Sequence, residues 1–274
     1  MNKLLQIEAI KTLGLPSFKA IIALHAVLFL MVTIIASNIN FNIQGITINK
    51  LFHFPHIWTT FSWISSWFNL LLGIVVILLI TNELQFRTFR KQLIDGLTRN
   101  EILWGKLLLI LLIACYTMLL VFFSGFIFGI IKSPQFSVQD FTQGLSMLPV
   151  LLVQALSYMM LAMLFSFIFR SSALSIVSFI LFFFPVEPII RAFLPTSVDQ
   201  LMPIKIISNL TPMPDFFSIT LGDLIEIQGV APTDMQSMRI FEKPLPLIAT
   251  VSIALVYSLI FILISKMIIQ RKNF

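Results

Sequence analysis

The chain has 274 residues, 58% of them hydrophobic and only 11% charged, with a net charge of +6 and a mean hydropathy of +0.99. Soluble domains carry about 25% charged residues, so this composition excludes a domain that covers its own surface with polar groups in water. The positive charge reflects where the basic residues face and is no sign of a nucleic-acid partner.

The apolar residues come in blocks near the roughly 20 residues a helix needs to cross about 30 Å of hydrocarbon. A spanning segment must satisfy its backbone hydrogen bonds internally, so the blocks read as helices in spite of their Ile, Phe and Val content. The expected fold class is all-α and polytopic, a single transmembrane domain over residues 1–274.

Residues 3–15 read as a short helix lying on the inner membrane surface. At 100° per residue Leu5, Ala9, Ile10 and Leu13 share a face, with Lys3, Glu8 and Lys11 opposite. Pro16 breaks the chain before the first span. The opening stretch has no compact apolar core followed by small residues, so it is read as retained and not as a cleaved signal. Six spans are expected, at 20–37, 61–80, 107–131, 147–169, 173–190 and 247–265. The fourth and fifth form a tight hairpin around Arg170-Ser171-Ser172. Cys115 lies inside an apolar block, so no disulfide framework exists within the chain. Residues 191–246 are rich in proline and carry short apolar runs, the pattern of short helices capping the outer face.

With six spans both ends share one side, and that side holds twelve Lys and Arg residues against six opposite. The basic side is therefore assigned to the cytoplasm, with both termini and residues 82–106. Trp58, Trp63 and Trp67 at one edge of the second span, and Trp104 at the start of the third, fit an interfacial aromatic belt.

No phosphate-binding loop, zinc-protease helix or nucleophile elbow is present, so the chain is expected not to be an enzyme. His53 and His56 flank Pro55 in an outer connection and read as polar interface residues; no metal site is assigned. Within the spans only His25 is ionisable at depth, and a missing buried carboxylate argues against an ion-driven carrier. Asn69, Gln154 and Tyr158 either join helices by hydrogen bonds or, with His25, line a path. Glu187 and Arg191, one turn apart, read as a structural ion pair.

The most informative stretch is 82–106. Phe86, Phe89, Leu93 and Leu97 fall within one helical arc, and Arg87, Lys91 and Asp95 on another. Gly96 permits a turn. Thr98 then serves as an N-cap, with Glu101 completing a capping box for the helix that enters the next span.

In this stretch the chain resembles the permease subunits of type-2 ABC exporters. In that family an acidic residue ends the second span. A basic amphipathic helix, a glycine turn and a Gly-Lys pair then precede the third. Glu83, Arg87, Arg90, Gly96, Arg99, Glu101, Gly105 and Lys106 follow that order, and Lys91 and Asp95 lie on the same coupling segment. The six-span layout, the surface helix and the long connection before the last span also fit.

The resemblance implies a pair of permeases, identical or related, in a bacterial plasma (inner) membrane, with a separate ATP-binding subunit docked beneath each. The chain itself binds no cofactor, and ATP and Mg belong to the partner. An apolar wall rich in the chain's 28 Phe residues suits amphipathic or lipid-linked cargo. Two other classes fit the sequence: a self-contained channel or carrier, and a non-transporting scaffold that transmits force between an ATPase and an envelope partner at the outer cap.

Overall fold

A computed structural model describes residues 8, 10–38, 42–43, 46–47, 51–133, 137–214 and 245–271. Residues 10–14 are helical and lead into α1 (Pro16–Asn38). An antiparallel ribbon of two-residue strands follows, β1 (Asn42–Ile43) and β2 (Ile46–Thr47), with Asn42 opposite Thr47. Next come α2 (Ile57–Ser66), α3 (Asn69–Gln85), α4 (Thr88–Ile94), α5 (Arg99–Lys132), α6 (Val138–Thr142) and α7 (Met147–Phe169). After α8 (Ser172–Leu181) a π-helical turn, Phe182–Val186, carries the axis into α9 (Glu187–Ala192). Two short helices, α10 (Thr196–Asp199) and α11 (Pro203–Ser208), precede the last span, α12 (Leu247–Arg271).

Among the described residues, five helices are long and apolar enough to cross a membrane, six when α2 and α3 count as one bent span. The chain is an all-α polytopic membrane protein. Of the interfacial segment expected over 3–15, residues 3–7 and 9 lie outside those described, and so does most of the expected outer cap, beyond residue 214.

α7 is the hub. It is apolar all round, the pattern of a helix enclosed on every side, and 67% of its apolar stretch is buried against at most 39% in the other unbroken spans. The helices of the bundle approach one another through small or hydroxyl-bearing positions, as expected where lipid removes the hydrophobic drive between helices. Ser157 on α7 meets Ser258 on α12 at 2.8 Å, and Thr81 on α3 meets Ser172 on α8 at 2.7 Å. A side chain at Gly73 on α3 would run into the Phe179 ring at 2.7 Å, so glycine there sets how closely α8 can pack. Large apolar residues such as Val27, Phe123, Val177, Phe184 and Leu259 point outward, where hydrocarbon is their solvent.

The second span departs from the continuous helix expected at 61–80. It bends by 44° between α2 and α3. At the bend Trp67 and Phe68 donate their amides to Ile64 and Ser65, three residues back, instead of four. The Ser66 hydroxyl takes the Trp63 carbonyl at 2.7 Å. Tightened turns and serine pairs are recognised causes of helix kinks. The π-helical turn before α9 has a cause legible in sequence. Pro185 lies inside it and has no N–H for the ladder.

The tryptophans divide. Trp67 and Trp104 are largely exposed, as a belt requires. Trp58, expected in the same belt, is fully buried. Its indole donates to the Phe141 carbonyl at 2.9 Å and stacks on Phe122. Gly125 makes room, since a Cβ there would stand 3.0 Å from the ring. Trp58→Ala should therefore cost about 3–5 kcal/mol, and Trp58→Phe, which loses mainly the hydrogen bond, about 1 kcal/mol. Thermal melting in detergent measures both. A residue lying only in a headgroup belt would leave the melting point of both variants near wild type.

Candidate functional site

The segment between α3 and α5 is built from local stop and start signals. Arg87 adopts a left-handed conformation (φ 57°) and ends the run of α3. The Thr88 hydroxyl closes the junction on the Glu83 carbonyl at 3.1 Å. α4 ends in a Schellman motif. There Gly96, at φ 96°, donates to Leu93 at 3.2 Å, and Leu97 donates to Gln92 at 3.0 Å. A positive φ of this kind suits glycine. Thr98 then caps α5, and its amide reaches Glu101 Oε2 at 2.7 Å while Glu101 N–H reaches the Thr98 hydroxyl at 3.2 Å. The turn and capping box anticipated from sequence are both present.

These signals give α4 two faces. Phe89 and Gln92 are buried, and Leu93 and Leu97 pack against the core. Arg87, Arg90, Lys91, Ile94 and Asp95 are exposed, and none of the four charged groups is in an ion pair among the described residues. Phe86 departs from the packing arc expected for it and is 78% exposed, because the left-handed turn at Arg87 separates it from α4.

The other charged residues of the segment are bonded to groups of this chain. Lys106 is 2% exposed, and its ammonium lies 2.6 Å from Glu8 Oε2 and 2.5 Å from Glu83 Oε1. Gly105 admits this contact, as a Cβ there would press on the Glu8 side chain at 3.2 Å. Arg99 donates to the carbonyls of Ile269 and Gln270 at 3.1 and 2.5 Å, a cation satisfying the C-terminal end of α12. Glu8 is the partner that sequence reasoning missed. It was placed on the polar, outward side of the first helix, yet it is buried. Ile10 and Leu13, on the apolar face, are the exposed ones.

The mid-bundle candidates act as joints. Asn69 donates to Gln154 Oε1 at 3.3 Å, and Gln154 Nε2 donates to Ile207 O at 2.9 Å and Thr211 Oγ1 at 2.8 Å. This ties α3, α7 and α11 together. His25 is fully buried, with Nδ1 3.5 Å from the Tyr116 hydroxyl and its ring edge-on to Phe68. Tyr158 is buried against Phe183.

The expected Glu187–Arg191 pair is replaced by two other contacts. The Glu187 carboxylate accepts the amides of Ile204 and Lys205, both at 2.9 Å, and so caps α11 from a distance. Arg191 pairs with Asp199 at 2.5 Å, and Lys205 pairs with the same carboxylate. Burial alone pushes the Asp199 carboxyl up. Hydrogen bonds from Lys205 and Arg191 outweigh burial and hold it below its ordinary value. No cluster of three or more metal-ligating side chains occurs among the described residues.

No family model matches the chain, and no curated protein matches it either.

Two substitutions test these ionic joints. Lys106→Met strands two carboxylates and should cost about 3–5 kcal/mol, read as a fall in melting temperature in detergent. Asp199→Asn should cost about 1–3 kcal/mol at pH 7, since its cationic partners are part-exposed. With its folded pKa depressed, Asp199 stabilises the fold above its unfolded value of about 3.9. That stabilisation is lost as pH falls through the folded value. Asp199→Asn should therefore flatten the acid limb of melting temperature against pH.

Proposed function

We propose that the chain is the membrane-spanning permease subunit of an ATP-driven exporter, working as a pair of permeases, each over a separate ATP-binding subunit. The observation that carries this reading is the exposed basic face of α4, clamped at both ends. Its C-terminus is fixed by the Schellman turn and the capping box of the 34-residue α5. Beside its N-terminus, Glu83 is bonded to Lys106 on α5. A helix fixed in this way passes a push from a docked partner to α3 and α5 instead of folding away.

In this reading Arg87, Arg90, Lys91 and Asp95 meet the ATPase. Glu83, Gly96, Arg99, Glu101 and Lys106 position them without touching the partner. ATP and Mg are bound by the partner, in keeping with the missing nucleotide loop. Cargo is amphipathic or lipid-linked and moves outward between the two permeases of the pair, identical or related. Both termini and α4 face the cytoplasm of a bacterial cell.

Charge reversal at Arg87 and Lys91 is the direct test. Both side chains are exposed, so reversal should leave the fold within about 0.5 kcal/mol of wild type. At a docked interface the same change removes about 2–5 kcal/mol of association. ATPase co-purification and substrate-stimulated hydrolysis should both fall. Gly96→Val has open space around it, so its cost is conformational, about 1–3 kcal/mol. It should weaken stimulation more than binding. If the double reversal leaves binding and hydrolysis unchanged, α4 is a topology anchor and the exporter reading fails.

Orientation has its own test, in a chain whose Cys115 is replaced by serine. A cysteine at the exposed Phe193 should react with an impermeant reagent in intact cells, and one at Lys91 only after lysis. The reverse pattern overturns the assignment.

A further inference from the structure

The ionic knot at Lys106 opens onto a cavity of about 270 Å³ lined by Glu8, Lys11, Glu83 and Phe86. Thr12 and Leu109 belong to that cavity and also to a second one of about 280 Å³. The second runs along α5 past Leu112 and Tyr116, with Phe18 and Ile22 of α1 on its other wall. Together they make one groove with a charged end and an apolar trough. From Leu109 to Tyr116 the trough covers two helical turns, about 10 Å.

The charged end has unused capacity. Among the described residues, Glu83 Oε2 is buried without a hydrogen-bond partner, and so is Lys11 Nζ. The carboxylates nearest Lys11 stand 3.6 and 3.9 Å away, beyond hydrogen-bond reach. Among the described residues that line this cavity, two lysines and two glutamates balance. Lys11 is held there by charge alone, so its donor and the second oxygen of Glu83 keep unused hydrogen-bonding capacity side by side. Trp104, largely exposed near the start of α5, places this end at headgroup depth. The trough then runs at acyl-chain depth.

We propose that this groove binds one zwitterionic phospholipid with a primary ammonium headgroup, of the phosphatidylethanolamine type. Lys11 takes the phosphate, Glu83 Oε2 takes the ammonium, and an acyl chain lies in the trough between α1 and α5. The lipid completes the seam between the N-terminal segment and α5, where the described side chains leave two polar atoms unsatisfied. The inference needs only a membrane-embedded chain and does not rest on the exporter reading.

Native mass spectrometry of the full chain, delipidated in mild detergent and re-supplied with single lipids, tests it. Wild type should retain one phosphatidylethanolamine, and phosphatidylglycerol should bind about tenfold more weakly, the loss of one charge-assisted contact. Free phosphoethanolamine should not bind, since it has no chain for the trough. Lys11→Ala should lower retention about tenfold, and Lys11→Arg should restore it. Leu112→Trp, at a part-exposed position of the trough, should block binding while melting normally. Equal retention in wild type, Lys11→Ala and Leu112→Trp would mean ordinary boundary lipid and overturn the proposal. So would equal binding of phosphatidylglycerol, or binding of the free headgroup.

Discussion

The ammonium of Lys106, removed from water at the base of the longest helix, is the contact on which one end of the molecule depends. A buried ion pair seldom adds much stability over an apolar substitute, because desolvation offsets the Coulomb gain. What it supplies is register. Lys106 has to find Glu8, 98 residues earlier, and Glu83, 23 residues earlier. Meeting both holds the N-terminal segment against α3 and α5. Arg99 adds the end of α12 to the same junction through two backbone carbonyls. Three long helices and the N-terminal segment are thereby fixed at one level.

Above this junction different physics applies. Between helices in hydrocarbon there is no hydrophobic drive, so alignment comes from close packing and hydrogen bonds. α7 carries most of these contacts. Ser157, Gln154 and the ring-filled surface around Met159 and Phe167 leave it little lipid-facing area. Gln154 is the long-range joint of the opposite half, since it holds the α2–α3 bend through Asn69 and the α11 helix through Ile207 and Thr211. The bend therefore has a bonded partner across the bundle and is part of the design of the span.

What the sequence disclosed was whatever depends on neighbours in the chain. The spans followed from uninterrupted apolar runs, the α4 turn from Gly96, and the start of α5 from Thr98 and Glu101. Signals of this kind act within one or two helical turns. The bend at residues 66–69 was hidden because it lacks proline and glycine, and only the Ser65-Ser66 pair hinted at it. Trp58 was misread because belt and core tryptophans look alike until Phe141 is known to arrive 83 residues later. Glu187 has a neighbour of opposite charge one turn away, which made a local pair the obvious reading. The geometry instead gives that carboxylate to the free amides of α11, and Arg191 to Asp199. Of the candidate site, the exposed and the turn-forming residues were legible. The inward partners were not, because Glu8 is defined only by tertiary contact.

The distribution of charge over the segment 83–106 follows from these constraints. Glu83, Arg99, Glu101 and Lys106 are bonded to groups of this chain, and removing any of them damages the frame itself. Among the described residues Arg87, Arg90 and Lys91 have no such duty, and neither does Asp95. A loop that needed basic residues only to fix orientation would be served equally well by a flexible strand, since the positive-inside preference counts charges near the span and not their geometry. Here the charges that bond inside the protein hold a seven-residue helix in place, and those that do not bond share its outer face. Rigidity without an internal partner has value where a second surface must be met in a fixed orientation.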